Sequence, residues 1–191
     1  DATAAVVREY AATRPEIQLV EISLGDKANA WNVYVRDIGV SAPVHFFVDG
    51  DVEVGPGSLA ALRNGLAEHP EARAAAAVPA TGRHLEHLRT GALAEHGLQG
   101  NLYALAGEFL ERIRERKLYL PIGLIGDDSW IGALAKWDLD PSADWRNERV
   151  IPVPRAQFRF DSLRITSTGH LRLYWRRRLR YALRQQQIQM L

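Results

Sequence analysis

A chain of 191 residues, 47% of them hydrophobic, is long enough to form one compact domain with a buried core. It contains no cysteine, which excludes disulfide bridges, thiolate nucleophiles and cysteine-bearing zinc sites. No run of about 18 apolar residues is present, so no membrane-spanning helix is predicted. The lack of cysteine is compatible with a cytoplasmic location, which is expected here.

Charge is unevenly distributed along the chain. The net charge is +1, but residues 151–191 contain nine arginines and one acidic residue, Asp161, which leaves +8 there and −7 in the preceding 150 residues. A basic C-terminal segment of this kind can contact phosphates, an anionic membrane surface or the acidic body of the same protein. The charge pattern alone leaves all three open.

Helical and extended patterns alternate along the chain, which predicts an α/β protein with a sheet flanked by helices. Helices are predicted over 4–13, 27–38, 56–69, 84–96, 108–116 and 129–137. Strands are predicted over 17–23, 44–48, 74–78 and 101–105. The pattern over 56–69 is typical of a helix with one apolar face, since Leu59, Leu62 and Leu66 recur on one side and Pro56 lies near the first turn.

The first polar motif of interest opens the predicted helix 27–38. Gly25 precedes this helix, whose first turns carry Lys27, Asn29 and Asn32. A helix start with a nearby lysine suits diphosphate or polar nucleotide groups. Taken alone, an ordinary capped helix with a solvated lysine explains the same residues.

Two carboxylates, Asp49 and Asp51, follow the predicted strand 44–48. At the carboxyl edge of an α/β sheet, where ligands bind, such a pair can hold a divalent cation with hard oxygen ligands. Asp138 and Asp140 have the same spacing, but they follow a helix and precede Pro141, which predicts a solvated turn. The strand context favours Asp49 and Asp51 as the functional pair over a simple turn.

A second acidic pair, Asp127 and Asp128, lies between Gly126 and the predicted helix 129–137. Carboxylates at this position can serve only as helix caps, which the helix dipole favours. Alternatively, one of them can act as a general base toward an acceptor hydroxyl. The pair alone does not separate these two interpretations.

Taken in order, these motifs resemble those of the family 2 glycosyltransferases, which have the GT-A fold. The helix start matches the family pattern G-x-K-x-x-A-x-N at Gly25, Lys27, Ala30 and Asn32, and Asp49-Gly50-Asp51 matches its D-x-D motif. Residues 54–59 resemble the helix entry that follows this motif, and 101–105 resemble the strand on the acceptor side. Asp127 and Asp128 resemble the acidic E-D pair, with Asp in place of Glu.

The resemblance implies a reaction and a set of roles. A sugar would pass from a nucleotide-sugar donor to an acceptor hydroxyl, with inversion at the anomeric carbon and with Mg²⁺ or Mn²⁺ as cofactor. Asp51 would bind the metal, and Asp49 would lie nearer the ribose or bridge to the metal through water. Asp128 would be the base and Asp127 would support it. Lys27 and Asn32, with Asp49, would contact the donor, whereas the acceptor stays open between saccharide, lipid and protein.

The resemblance also implies that two strands of the fold lie upstream. Asp1, Ala2 and Thr3 resemble the tail of the family's S-x-D-x-T segment, which follows its second strand. Residues 1–165 are therefore expected to form a GT-A-like catalytic domain that is incomplete at its N-terminus. Such a fragment is expected to be inactive by itself.

Residues 166–191 are expected to form a basic amphipathic helix. Its arginine face would rest on anionic lipid at the cytoplasmic membrane surface. Arg178 falls on the apolar face and either extends outward or reaches the donor diphosphate. His170 is either structural or a further metal ligand, as a late histidine is in some GT-A enzymes.

Two other functional classes compete with this interpretation. A nucleic-acid-binding module would use the basic C-terminus but would leave both aspartate pairs unexplained, so nucleic acid is not the expected partner. A nucleotidyltransferase would also use paired aspartates and a metal. His84, His87 and His96 are predicted to lie on a solvated face rather than in a zinc site.

Overall fold

The computed structural model describes residues 2–81 and 96–160, together with the single residues 90, 179, 182, 183 and 186. The predicted helix 84–96 lies largely outside the described residues. So does the C-terminal helix 166–191 with His170 and Arg178, and the division into two units at residue 165 therefore stays a prediction.

Helices and strands are interspersed along the described part of the chain. The α-helices are α1 Thr3–Ala11, α2 Lys27–Val33, α3 Ser58–Glu68, α4 Gly107–Glu115 and α5 Asp127–Lys136. A π-helical turn, Tyr34–Ile38, extends α2. The strands are β1 Val44–Val48, β2 Val52–Val54, β3 Ala74–Pro79, β4 Leu102–Ala106 and β5 Val150–Phe160.

These strands form one mixed sheet in the order β1-β4-β3-β5-β2. The neighbours β3 and β5 are parallel, and the other neighbouring pairs are antiparallel. The predicted α/β class with a mixed sheet flanked by helices is confirmed. Because β1 pairs with β4 from Val44–Ala106 to Val48–Leu102, the end of β1 lies beside the start of β4.

The sheet separates two hydrophobic clusters. Alternate residues of β3 enter opposite clusters, Ala74 and Ala76 on one side and Ala75 and Ala77 on the other, as the two-residue period of a strand requires. The first cluster is covered by α2, α4 and α5, and the second by α3. The helices that carry the polar motifs are therefore fixed by a shared core.

Residues 17–23, predicted to be a strand, form none. An apolar run becomes a strand only when a neighbouring strand takes up its backbone hydrogen bonds. Within the described residues, β1 is one of the two edge strands of the sheet and has a partner on one side only, β4. In the same part of the chain, no helix combines the length and apolar character needed to cross a membrane.

Candidate active site

Four segments of the fold meet at the end of β1. They are the start of α2, the turn after β1, the turn before β4 and the start of α5. Together they line a cavity of about 740 Å³. The charged side chains among its described lining residues are Asp26, Lys27, Asp49, Asp51, Asp127 and Asp128. Five carboxylates and one ammonium give this lining a net charge of −4.

Lys27 lies at the centre of the charged cluster. Its Nζ is 2.7 Å from Asp49 Oδ1 and 3.4 Å from Asp127 Oδ2, and it donates to the Gly100 carbonyl at 3.3 Å. Burial lowers the pKa of Lys27, but the hydrogen bond to Asp49 and the charges of the nearby carboxylates outweigh it and raise the pKa above its ordinary value. Lys27 therefore stays protonated in this cluster.

Asp26 fixes the start of the helix that carries Lys27. It caps α2, because its Oδ1 accepts from the Asn29 amide at 2.8 Å. Its Oδ2 accepts from the Gly123 amide at 3.3 Å, which connects α2 to the segment before α5. This carboxylate therefore has a structural role at the rim of the cavity.

Asp127 is the more deeply buried member of the second pair, with 8% of its surface exposed. Helix α5 begins at Asp127, so both carboxylates lie in its first turn. Asp127 Oδ2 is buried and makes no hydrogen bond to the described residues, but it forms an ion pair with Lys27 Nζ at 3.4 Å. Burial raises the pKa of Asp127 and the charge of Lys27 opposes this, with a net increase.

Asp128 is half-buried and is oriented by two backbone amides. Its Oδ1 accepts from Ser129 N at 2.8 Å, and its Oδ2 accepts from Gly100 N at 3.3 Å. Gly100 allows this approach, since a Cβ there would lie 3.1 Å from Asp128 Oδ2 and 3.2 Å from Lys27 Nζ. The turn before β4 therefore connects Asp128 with Lys27.

Asp51 differs from the other carboxylates of the cavity. It is exposed on the turn between β1 and β2 and makes no hydrogen bond or ion pair with the described residues. In the described part of the chain, no three His, Asp or Glu side chains are grouped closely enough to hold a metal ion. Asp49 and Asp51 can therefore supply only part of a metal coordination sphere.

An aromatic pocket of about 400 Å³ adjoins the charged cavity and shares Lys27, Asp49 and Asp127 with it. Phe47 stacks on Tyr103 with ring centroids 4.8 Å apart, and Trp31 stacks on Phe47 at 6.3 Å. The motifs in the sequence do not predict this pocket. The signal was present in Trp31 and Tyr34, which are three residues apart on a helix beside an aromatic strand.

Of the predicted site residues in the described ranges, Lys27, Asp49, Asp51, Asp127 and Asp128 come together and Asn32 does not. Asn32 is buried, and its amide both donates to the Leu120 carbonyl at 2.9 Å and accepts from the Leu120 amide at 2.8 Å. It lines neither cavity. In the structure Asn32 therefore anchors the segment that leads to Asp127, and its contact with the donor stays a prediction.

The second Asp-x-Asp sequence is a turn, as predicted, but it is not simply solvated. Asp138 Oδ1 accepts from Arg73 Nε and from Arg112 Nη1, each at 2.7 Å. Only Asp140 is exposed, and it bonds to Ser142. The predicted solvated turn is therefore wrong for Asp138, which connects the end of α5 to α4 and β3.

The histidines expected on a solvated face fall into two groups. His84 and His87 lie outside the described residues. His96 is partly buried, and its Nδ1 is 2.8 Å from the Val150 carbonyl. The prediction of a solvated face is therefore wrong for His96, which is bonded to the first residue of β5.

Comparison with known proteins identifies the fold. No protein-family model matches the chain, and no curated protein matches it. Among solved structures, it is similar to the mannosyltransferase PcManGT from Pyrobaculum calidifontis in complex with GDP-Man and Mn²⁺. The TM-score is 0.63 and the sequence identity 22%, over 87% of this chain and 46% of that one. The chain thus has the fold of a glycosyltransferase and spans less than half the length of that protein.

Proposed function

We propose that this chain is the catalytic part of a metal-dependent glycosyltransferase that uses a nucleotide-sugar donor and an acceptor hydroxyl. One observation carries the proposal. Asp49 and Asp51 at the end of β1 share a single cavity with Lys27 and with the acidic pair at the start of α5. The structure with a similar fold is a mannosyltransferase in complex with GDP-Man and Mn²⁺, which supports this assignment.

The charge of the cavity supports a requirement for a divalent cation. A donor diphosphate carries about two negative charges, and like charges at close range repel. A lining with a net charge of −4 would therefore oppose donor binding unless a cation lay between them. Asp49 and Asp51 provide hard oxygen ligands, which suit Mg²⁺ or Mn²⁺.

The absence of a three-residue cluster among the described residues is compatible with such an ion. Mg²⁺ is commonly held by one or two carboxylates together with substrate phosphates and waters. Asp51 would then be the main protein ligand, with Asp49 beside it. When bound, the ion would neutralise charge that develops on the leaving diphosphate.

The acidic pair divides into two roles in this proposal. Asp128 is the general base, because it is half-exposed to the cavity and its carboxylate is oriented by the amides of Gly100 and Ser129. The buried Asp127 Oδ2 is poorly placed to meet an acceptor. Asp127 therefore has a supporting role: it pairs with Lys27 and forms part of the first turn of α5.

The aromatic pocket gives the donor a second contact region. Its stacked walls, formed by Trp31, Phe47 and Tyr103, suit the flat apolar face of a nucleobase. The pocket adjoins Lys27 and Asp49, so a donor whose base lay there would place its diphosphate in the charged cavity.

Three finer features belong to the same proposal: membership of glycosyltransferase family 2, inversion at the anomeric carbon, and a GT-A sheet completed by two further strands at β1. The edge of β1 supports the last of these. Phe46 and Val48 on this strand are 37% and 45% exposed, which is more than an enclosed strand would allow.

Donor binding and turnover by the full-length protein test the proposal. Binding of GDP-sugars and UDP-sugars is measured by calorimetry with and without Mn²⁺, and transfer or donor hydrolysis by nucleotide release. We expect Asp51→Asn to abolish metal-dependent binding. Asp128→Asn should retain binding and lose turnover by about a hundredfold or more, the usual effect of removing a general base.

Asp140→Asn is the matched control, because Asp140 holds the same position in the second Asp-x-Asp sequence but lies outside the cavity. It should leave both binding and turnover unchanged. If no nucleotide sugar binds with or without Mn²⁺, the glycosyltransferase proposal fails.

A further inference from the structure

The charged cavity contains one positively charged side chain among its described lining residues, Lys27. Lys27 Nζ is surrounded by three oxygens from different segments: Asp49 Oδ1 at 2.7 Å, the Gly100 carbonyl at 3.3 Å and Asp127 Oδ2 at 3.4 Å. A lysine ammonium is a compact point charge with three donors, and here it lies within hydrogen-bonding or ion-pair distance of three oxygens. It neutralises one of the five negative charges of the described lining.

The oxygen closest to Lys27 belongs to a carboxylate that the proposed function gives to the metal. Two cations cannot both lie against Asp49 Oδ1 without strong mutual repulsion. An ion that binds Asp49 Oδ1 must therefore displace Lys27, and an ion on the other oxygen of this carboxylate still lies close to the ammonium and is repelled by it. Asp51, in contrast, has no protein partner among the described residues.

Lys27 is able to move. Its side chain is 44% exposed, and four methylene groups connect the ammonium to the backbone. Its partners are less free, because Gly100 is held by Asp128 and Asp127 lies in the first turn of α5. Movement of Lys27 is therefore the simplest way for Asp49 to become available.

We propose that Lys27 competes with the divalent ion for Asp49, and that the donor diphosphate accepts the displaced ammonium. This inference rests on the proposed function and adds a binding order to it. The ion alone binds weakly, because it must break the Lys27–Asp49 pair. When the nucleotide is present, its phosphates pair with Lys27, so ion and nucleotide each strengthen the binding of the other.

Mn²⁺ binding in the absence of nucleotide is the first measurement. The Mn²⁺ dissociation constant of the full-length protein is measured by calorimetry and by loss of the free-ion electron paramagnetic resonance signal. We expect Lys27→Met to lower it about tenfold, the size expected for loss of one competing charge-assisted hydrogen bond. Lys27→Arg, which keeps the charge, should resemble wild-type.

Lys117→Met is the matched control for charge, because Lys117 is exposed and lies outside both cavities. It should leave the Mn²⁺ dissociation constant unchanged. Thermal unfolding followed by circular dichroism checks that each variant is folded, and Lys27→Gln replaces the methionine variant if that one does not fold.

Coupling between ion and nucleotide is the second measurement. Saturating GDP or UDP should tighten Mn²⁺ binding about tenfold more in wild-type than in Lys27→Met. The reason is that only wild-type has an ammonium that can move from Asp49 to the phosphates. A folded Lys27→Met protein that binds Mn²⁺ no more tightly than wild-type would overturn the inference. If neither GDP nor UDP binds while Lys27→Met still binds Mn²⁺ more tightly, the competition holds and the proposed function fails.

Discussion

The two Asp-x-Asp sequences are expected to differ in role. A substitution in one should lower the free energy of unfolding, and a substitution in the other should weaken nucleotide and Mn²⁺ binding. Asp138 is bonded to Arg73 and Arg112, whereas Asp51 has no hydrogen bond or ion pair with a described residue. We expect Asp138→Asn to reduce the free energy of unfolding and to leave nucleotide and Mn²⁺ binding intact. Asparagine is the appropriate replacement, because residue 138 has φ +54° and asparagine tolerates this conformation well.

The magnitude follows from the pKa of Asp138. Burial raises this pKa, but the hydrogen bonds and charges of Arg73 and Arg112 outweigh it and lower the pKa to about 2 from an ordinary 3.8. The difference corresponds to about 2.4 kcal/mol of stability at neutral pH. Because the side chain is 23% exposed, solvent screening reduces the expected loss to about 1–2 kcal/mol.

The pH dependence has a definite sign. A carboxyl whose pKa is lowered on folding contributes its full stability above its unfolded pKa, near 4, and loses it as the pH falls toward 2. The difference between wild-type and Asp138→Asn should therefore be constant between pH 5 and 7 and shrink below about pH 4. Urea unfolding at several pH values measures it.

Asp51→Asn is the comparison variant for this prediction. It should change the free energy of unfolding by no more than about 0.5 kcal/mol, as is usual for an exposed residue without contacts. Its effect should instead appear in Mn²⁺-dependent nucleotide binding. Loss of binding in Asp138→Asn, or equal destabilisation by both substitutions, would refute the separation of roles.

Two further substitutions test residues next to the cavity. Asn32→Ala should cost about 1–3 kcal/mol in urea unfolding, because it leaves the Leu120 amide and carbonyl without their partner; Asn64→Ala, on the exposed face of α3, should stay within about 0.5 kcal/mol. Asp127→Asn should gain stability relative to wild-type as the pH rises from 4 to 7, because an acid whose pKa is raised on folding opposes folding once it ionises. The two proteins should differ least near pH 3, and a difference that does not change with pH would contradict the buried, raised-pKa state of Asp127.

The sequence predicts strands well where the apolar pattern is uninterrupted and poorly elsewhere. The predicted strand 44–48 coincides with β1, and 74–78 falls within β3. No strand is predicted where the structure has the long strand β5, whose apolar pattern is interrupted by Pro152 and Pro154. In the structure Pro152 is paired with Ala76, and the β3–β5 register then shifts before the next pair, Val78 with Gln157, so that Pro154 lies in the irregular segment.

The local sequence does not show which strands or side chains become neighbours in the fold. Residues 17–23 have a strand-like composition but no strand partner in the described structure, and composition does not reveal which neighbours exist. The same limit applies to single side chains. Asn32 matched a donor-binding motif, yet Leu120, 88 residues away, takes both of its hydrogen-bonding groups.

The contacts of the five carboxylates in the cavity suggest how a site with so much negative charge can form. Asp26 and Asp128 are each stabilised by two backbone amides, and Asp49 and Asp127 share Lys27. Asp51 alone among the five has no described partner. Four of the carboxylates therefore have partners that connect the segments of the site, and the fifth is available to a ligand without loss of a hydrogen bond or ion pair. An arriving cation would meet Asp51 first, and Asp49 only after Lys27 moves.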